Sequence, residues 1–584
     1  MERQERVWIL AWAAIAGSCL LLLHNWILTF PKPGAEFQLI WPLYVMAISV
    51  PLTMQMLSKF RTQRLMWGMN AGFTLIMAVT SGYLGRQTWV EGLASYQYAG
   101  QLFQDCMTVS ICWFVLMPFA EHRLAREHWF NDYALLFSSA WRNAIKLTSA
   151  ILFVFLFWGL LFLWAGLFKV VKIEFFFDLF TNRSFIYPIT ALAFGSGLSL
   201  YSAKEDALVG IYRASLNVLG WLLPLVAVIT LLFLLTLPFQ GLKALWETGH
   251  ATTLMLMLLA AIVFLLNAAW QDYRERIRFP VWMLRLISLA VIAMPVYSAL
   301  CAYSLGLRVH QYGWSIERIW AALIVFFLAI YSFGYAATCP RKRTVWMDGA
   351  RHVNVFAALM LTLLLTLTAT PLLNPARIAV NSQVERLLTQ KVAAGAFDFD
   401  YLRFHAGKYG NEKLRELLNV PNHPESPRIH DLAEAELKKQ YPYGPNSSDA
   451  GLSKDQLEAK LKVHPKTTAL DPAFLDYLGH QLKDHKLFLN CSHGDQQCQV
   501  WMIDLNGDGS PELILFDSFQ SRVFAKIAGE WKVVGTISGP SLNRLTGSYV
   551  EGILDAGSAN VIPNKWRDFQ LGADRYSVVG HVEP

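Results

Sequence analysis

Apolar residues fill the first two thirds of the chain in blocks of about twenty, with few polar positions inside them, and then the pattern changes. Runs long enough to cross a bilayer, about 20 residues each, lie near 7–30, 39–57, 65–84, 102–120, 147–168, 185–203, 216–237, 252–270, 281–302, 319–335 and 353–369. Trp8, Trp41, Tyr44, Trp270, Trp282 and Trp320 stand near the ends of these runs. Amphipathic rings favour the headgroup layer, so this placement suits membrane helices. The pattern predicts a polytopic transmembrane bundle of about 11 helices over residues 1–371. The last run follows Arg341, Lys342, Arg343 and Arg351 and is closed by Pro371.

After Pro371 the periodicity is that of a chain folded in water. Residues 374–420 read as two amphipathic helices with a break at Gly395, and 431–440 and 452–462 as further short helices. From 486 the period falls to two. Residues 486–491, 499–505, 511–517 and 521–537 are rich in Val, Ile and Phe and are split by Gly turns, which predicts a small antiparallel sheet. The expected fold class is therefore mainly α, a helix bundle followed by a C-terminal soluble α+β domain over 372–584.

Charge agrees with this division. The chain is 54% hydrophobic and 16% charged. Residues 1–371 hold 27 Lys+Arg against 17 Asp+Glu, a balance of +10, and residues 372–584 hold 23 against 26, a balance of −3. The basic residues of the first part fall between the apolar runs. With the N-terminus in the cytoplasm, 18 of them lie in inside segments and 8 in outside loops, as the positive-inside bias requires. An odd number of crossings then delivers 372–584 to the periplasm. No basic stripe with interleaved aromatics is present, which argues against a nucleic-acid partner. The apolar part of the first run is too long for a signal peptide and reads as a retained helix. The segment 121–146, basic at its start and carrying Trp, Phe and Leu, reads as a helix lying in the cytoplasmic interface.

Two features of the C-terminal part carry candidate chemistry. Cys491 and Cys498, the only cysteines after residue 371, flank a short loop between predicted strands, and a disulfide there would staple the hairpin in an oxidising compartment. Downstream, Asp504, Asn506 and Asp508 occupy alternate positions before Gly509, followed by Ser510 and Glu512. Oxygens at that spacing let a tight loop wrap a hard cation, with a backbone carbonyl at Ser510 and a carboxylate at Glu512. Leu515 stands where a full EF-hand has its bidentate Glu. The loop resembles the short calcium loops of integrin-type propeller repeats, and a structural Ca²⁺ is the expected cofactor. The competing reading is a metal-free Asp/Asn/Gly hairpin turn.

Polar residues inside the apolar runs are few: His24, Asn70, Gln104, Asp105, Asn217 and Asn267, with Asp105 the one acid well inside a run. Paired mid-span acids and bases, which proton-coupled transport would use, are missing. Metalloprotease, phosphate-loop, dinucleotide and nucleophile-elbow patterns are also missing, so no catalytic residue is nominated.

The stretches 216–256, 266–273 (LNAAWQDY), 312–324 (YGWSIERIWAALI) and 397–410 (FDFDYLRFHAGKYG) resemble a bacterial family of polytopic membrane proteins described as domain of unknown function 4153. The resemblance implies a bacterial inner-membrane protein and brings no activity or catalytic residue with it. The expected function is a membrane anchor or scaffold that presents a periplasmic domain to a protein or envelope partner. The alternative is a transporter or lipid-handling protein with a periplasmic regulatory domain.

Overall fold

A computed structural model describes residues 2–28, 37–90, 97–126, 128–130, 132–202, 205–247, 251–271, 279–339, 347–421, 423–439, 454–465, 470–483, 498–516, 521–527, 529–536, 550, 553–555, 569–571 and 574–576. The chain divides into two compact units, Met1–Gln440 and Tyr441–Pro584.

The first unit is helical: α1 (Glu2–Leu28), α2 (Phe37–Met56), α3 (Arg64–Thr88), α4 (Gln97–Arg126), α5 (Tyr133–Val170), α6 (Phe175–Thr181), α7 (Arg183–Ser202), α8 (Glu205–Gly220), α9 (Leu223–Glu247), α10 (Ala251–Trp270), α11 (Val281–Tyr312), α12 (Ile316–Thr338), α13 (Ala350–Thr368), α14 (Pro375–Leu388), α15 (Gly407–Leu417) and α16 (Ser426–Lys438). Among the described residues ten of the eleven apolar runs fall on one helix each, and the run 216–237 is divided between α8 and α9 by a turn at Trp221 and Leu222. Among the described residues nine helical segments are long and apolar enough to cross a membrane, which makes this a multi-pass membrane protein. Their outward faces carry large apolar side chains such as Leu152, Phe155, Leu160, Leu163 and Phe239. Hydrocarbon accommodates such a surface and water does not.

The two runs outside that set form α3 and α7, which are interrupted by Gly, Ser and Thr. In α7 those small residues are packing surface. A Cβ added at Gly195 would stand 2.6 Å from Ala13 Cβ on α1, and one added at Gly197 would stand 2.9 Å from Ala150 Cα on α5. Lipid tails are as apolar as Leu, so helices in a bilayer gain by close backbone approach, and small residues permit it.

Two apolar clusters organise the bundle. One joins α1 to α5 and α7 through Ile9, Met54, Met66, Trp113, Ala150 and Leu198. The other joins α9 to α13 through Leu223, Leu259, Met294, Tyr297, Leu328 and Ala350. α13 belongs to both halves, because its Leu365 packs with Val45, Met77, Val109 and Cys112.

The segment 121–146 is not a separate interfacial helix. Its first part prolongs α4 to Arg126 and its last part opens α5 at Tyr133. Asp132 starts the new helix by accepting hydrogen bonds from the amides of Ala134 (3.1 Å) and Leu135 (3.4 Å). Arg142 then bonds Glu121 at 2.8 Å and ties the two helices together.

The division between units also falls after Gln440, not at Pro371. Helices α14 to α16 bury their own cluster (Val384, Leu387, Phe399, Leu402, Leu414, Ile429) and bond the ends of the long helices, so they belong with the bundle as a cap.

The second unit holds α17 (Lys454–Lys460), β1 (Leu461–His464), α18 (Pro472–Lys483), β2 (Cys498–Ile503), β3 (Glu512–Phe516), β4 (Arg522–Ile527), β5 (Glu530–Thr536), β6 (Phe569–Leu571) and β7 (Asp574–Tyr576). The main sheet runs β1-β2-β3-β4-β5. It is mixed, because β1 pairs parallel to β2 while the other pairs are antiparallel. The expected helix over 452–462 thus ends in a strand at Leu461. α18 lies on the crossover between β1 and β2, and a parallel connection needs such a segment. Phe474 and Leu478 of α18 pack with Val500, Leu513, Phe524 and Trp531 of the sheet. The expected strand 486–491 lies outside the described residues.

Replacing Gly197 by Leu is expected to lower the melting temperature of the detergent-solubilised protein by several degrees, because the backbone contact with Ala150 cannot be kept. Gly159→Leu, where an added Cβ meets nothing within 4 Å, is expected to leave it within a degree. Equal behaviour of the two variants in a thermal unfolding scan contradicts the packing role of α7.

Candidate functional site

The cap is held to one end of the bundle by hydrogen bonds to helix termini. Gln383 Nε2 on α14 donates to the carbonyls of Tyr312 (2.9 Å) and Trp314 (2.7 Å). Arg386 donates to the carbonyl of Gln311 at 2.6 Å and to that of His310 at 3.4 Å. Ser382 Oγ accepts from the amide of Trp314 at 3.1 Å, and Tyr401 Oη from the amide of Ile316 at 2.9 Å. The last carbonyls of α11 and the first amides around α12 have no partners inside their own helices, and the cap supplies them. Gly313 (φ +73°) makes the turn between the two helices, and a Cβ there would stand 2.6 Å from Arg386 Cδ. On the other side, Tyr409 Oη on α15 bonds Tyr83 Oη of α3 at 2.8 Å.

Under the cap lies a cavity of about 190 Å³. Its walls come from the end of α3 (Gln87, Thr88), the start of α4 (Gln104, Asp105, Thr108), the start of α12 (Glu317, Trp320), the end of α13 (Thr368, Ala369) and the cap (Asn374, His405, Gly407, Tyr409). Gln104, Glu317 and His405 are exposed and form a rim, while Asp105 is 3% exposed. Gly407 (φ +57°) is required at its position, since an added Cβ would stand 2.8 Å from the Gln87 carbonyl oxygen. The apolar cluster of Val45, Met77, Val109, Cys112 and Leu365, on which Trp320 packs, joins the same helices.

Asp105 is held from one side. Trp41 Nε1 on α2 donates to its Oδ2 at 2.5 Å. Its Oδ1 is buried with no hydrogen-bond partner, as is the indole Nε1 of Trp320. The Ser81 hydroxyl on α3 lies beside the carboxylate. The described residues lining the cavity include two acids and no Lys or Arg.

Two other sequence-nominated polar groups of the bundle, Asn267 and Asn70, have hydrogen-bond partners. Asn267 donates to Tyr335 Oη at 2.8 Å and accepts from Asn354 Nδ2 at 2.6 Å, and Asn354 also donates to Tyr133 Oη at 2.7 Å. This links α10, α12, α13 and α5 through a chain of buried hydrogen bonds. Asn70 accepts from Thr74 Oγ1 one turn along α3, at 3.4 Å.

In the cap, Asp400 is the group most altered by its surroundings. Partial burial raises its carboxyl to about 6, the Glu436 and Asp398 carboxylates push the same way, and Lys439 and His405 oppose them. Tyr401 is pushed up to about 12, first by burial.

The acidic loop of the second unit connects β2 to β3. Asp504 Oδ1 accepts from the amide of Gly507 at 2.6 Å and its Oδ2 from the amide of Gly509 at 2.9 Å. Asn506 Nδ2 donates to Asp508 Oδ2 at 2.8 Å, and Asp508 Oδ1 accepts from the amide of Ser510 at 2.8 Å. The Ser510 amide and the Asn506 side chain together hold the Asp508 carboxyl below the usual carboxylate range. Glu512, 5% exposed, accepts from the amide of Leu505 at 2.6 Å. Positive φ at Gly507 (+76°) and Gly509 (+86°) closes the turn. The loop therefore brings Asp504, Asn506, Asp508, Ser510 and Glu512 into one turn stitched by its own amides. Among the described residues no group of three or more His, Cys, Asp or Glu is placed to hold a metal ion. That holds for the loop's own carboxylates, Asp504, Asp508 and Glu512. Cys498 opens β2 and is fully buried, whereas Cys491 lies outside the described residues. The five cysteines of the bundle are free thiols.

Of the cavity residues, sequence reasoning singled out Gln104 and Asp105 as polar groups and Trp320 as an aromatic near the end of a run. Glu317 and Trp320, and His405, Gly407 and Tyr409, lie on two of the stretches that carried the family resemblance, 312–324 and 397–410. The structure brings these stretches together at the bond from Ile316 N to Tyr401 Oη.

A family model described as Domain of unknown function (DUF4153) matches residues 45–407. This is more than half the chain, and the chain belongs to that family. The match runs from α2 through the cap's Gly407 and so takes in every wall of the cavity except the end contributed by Tyr409. No curated protein and no solved structure matches the chain.

The raised Asp400 carboxyl sets a pH dependence for the cap. Its folded value of about 6 lies above the unfolded carboxylate value near ~3.9, so between these the folded state binds more protons and stability falls as pH rises. The full-length protein is expected to melt at a higher temperature at pH 5 than at pH 7, and Asp400→Asn to flatten that difference. A wild-type difference of the same size in the variant assigns the dependence to other groups.

Proposed function

We propose that this DUF4153 member is an eleven-span inner-membrane protein with a cytoplasmic N-terminus. It anchors the cap and the following α+β unit in the periplasm as a binding or interaction module. The observation that carries this reading is the capping of α11 by Gln383 and Arg386. The ends of α3, α11 and α13 and the starts of α4 and α12 all reach the same cap, as an alternation that counts α3 as a crossing requires. The α14–α16 cap thereby forms a fixed platform from which the chain continues into the second unit. Lys and Arg in the connections support the orientation. The module's partner is an envelope or periplasmic protein.

Within that module Asp504, Asn506, Asp508, the Ser510 carbonyl and Glu512 bind a structural Ca²⁺, and Cys491 pairs with Cys498. The absence of Cys498 from the free thiols supports the pairing. Extracellular-type calcium sites bind at about 10⁻⁴–10⁻³ M, so the loop is loaded only outside the cytoplasm.

A second reading, a transporter or lipid-handling protein, is favoured by one observation, the cavity under the cap with its buried acid. The hydrogen-bonded Asn267–Tyr335–Asn354 network favours the anchor instead, because it fills the bundle where a path would run.

Two experiments test the proposal. An alkaline phosphatase fused after Pro584 is expected to be active, and a fluorescent protein fused at the same place to be dark. The reverse result places the C-terminal part in the cytosol and removes the oxidising compartment on which the disulfide and the calcium site depend. Separately, calcium at tenfold above its Kd is expected to stabilise the second unit of the full-length protein by about 1.4 kcal/mol. The joint variant Asp504→Ala, Asp508→Ala is expected to abolish the rise in melting temperature. An unchanged wild-type melting curve between millimolar calcium and chelator refutes the metal site alone.

A further inference from the structure

A groove of about 570 Å³ runs between α2 and α3, within the ~300–1,000 Å³ range of ligand pockets. It opens on a face of the bundle where Leu39, Leu75 and Val79 are each 65% exposed, a surface suited to hydrocarbon. Pro42, Ala78 and Gly82 line it and are partly buried. Unlike Gly195 and Gly197, Gly82 is not needed for close helix approach. A Cβ there would meet only Pro42 Cγ at 3.8 Å and the Gln38 carbonyl oxygen at 3.9 Å, which are ordinary contacts. One end of the groove is polar. Arg86, in the last turn of α3, is exposed and lines that end. Its Nε donates to Gln38 Oε1 of α2 at 3.3 Å. Among the described residues this is the one hydrogen bond Arg86 makes, and no Asp or Glu lines the groove. A cation in a last turn meets the negative end of the helix dipole, but that does not account for a guanidinium turned toward a neighbouring helix. With Nε engaged by Gln38, the two terminal amino groups form a fork free to take a phosphate bidentately. A second cation, Arg377 of α14, stands close enough to act by its charge on Tyr83, which lines the same groove.

We propose that the α2–α3 groove holds one anionic phospholipid, with an acyl chain along Pro42, Ala78 and Gly82 and the phosphate on the terminal amino groups of Arg86. The charge of the groove's end selects an anion, and its apolar length selects an anion that carries a chain. A free phosphate would use the Arg86 fork and leave that length empty. The depth also suits a headgroup, since α3 ends at Trp89 one turn beyond Arg86 and Trp favours the interface. Tyr83 bonds Tyr409 of the cap at 2.8 Å, so the lipid packs beside the contact between α3 and the cap. The inference rests on the chain being a multi-pass membrane protein and is independent of the anchor reading and of which end faces the periplasm.

The test uses the full-length protein in nanodiscs of phosphatidylcholine with a minor share of phosphatidylglycerol, released and weighed by native mass spectrometry. The wild-type chain is expected to retain one phosphatidylglycerol in preference to phosphatidylcholine, and millimolar inorganic phosphate to leave that retention unchanged. Arg86→Gln is expected to lower the retained fraction at least tenfold. Arg86→Lys, which keeps the charge and loses the fork, is expected to lower it severalfold. Gly82→Leu fills the groove with Arg86 intact and is expected to match Arg86→Gln; the two Arg86 variants, at an exposed position, carry the test if it does not fold. Retention of phosphatidylglycerol no better than of phosphatidylcholine, or equal retention by wild type and variants, overturns the proposal, because the lipid is then annular only. Displacement by inorganic phosphate overturns it in favour of a free-anion site. A lipid-free dimer that Gly82→Leu dissociates overturns it in favour of a second copy of the chain in the groove.

Discussion

The last turn of α11 ends in the carbonyls of His310, Gln311 and Tyr312, which have no amide partners within the helix. α14 brings Gln383 and Arg386 to them, at 2.6 Å for the Gln311 contact and 2.9 Å for the Tyr312 contact. A guanidinium at a helix C-terminus also meets the negative end of the helix dipole, so this contact is electrostatic as well as a matter of hydrogen-bond supply. Much else follows from where it sits. It places α14 across the end of the bundle, carries Asn374 and the 401–409 turn over the starts of α4 and α12, and so roofs the space that would otherwise be an open crevice between helix ends.

The interior of the bundle treats its polar groups in two ways. Asn267, Tyr335, Asn354 and Tyr133 exchange hydrogen bonds across four helices, and Ser298 donates to Ser332 at 2.7 Å in the same half. Such bonds contribute modestly, about 0.6 kcal/mol each on average, and their geometry leaves little over for a ligand. Asp105 differs, since one oxygen accepts from Trp41 and the other is buried without a hydrogen bond. The closed exchange of hydrogen bonds assigns the Asn network to packing.

The second unit builds its order around a different economy of contacts. α18 lays Phe474 against Phe524 and Trp531, with ring centroids 5.3 and 5.2 Å apart. Asp471 caps α18 through the Ala473 amide and also accepts from Trp531 and Lys526. One carboxylate thus fixes a helix to two strands, and these bonds hold its carboxyl below the usual range. The Asp504–Glu512 turn rests on that sheet between β2 and β3, with its amides already directed at its own acids.

The apolar runs by themselves determined the positions of the membrane helices, because burying backbone in hydrocarbon leaves the helix as the one local solution and a run of twenty apolar residues cannot hide. Alternation, a local property, likewise determined the strands between 499 and 537, but not β6 and β7. Interactions between segments far apart in the chain were decided only by the fold. Gly195 and Gly197 stand in an apolar run like any other until the fold sets α1 and α5 against them. The 121–146 segment looks interfacial until Asp132 and the Glu121–Arg142 pair assign its halves to two helices. β1 reads as the end of a helix because its parallel partner lies beyond α18. The cavity is the clearest case: Asp105 was visible as an odd acid in an apolar run, but Trp41, Trp320, Glu317 and Tyr409 come to it from up to three hundred residues away. No local pattern encodes that meeting, since it depends on which helix ends the cap closes over.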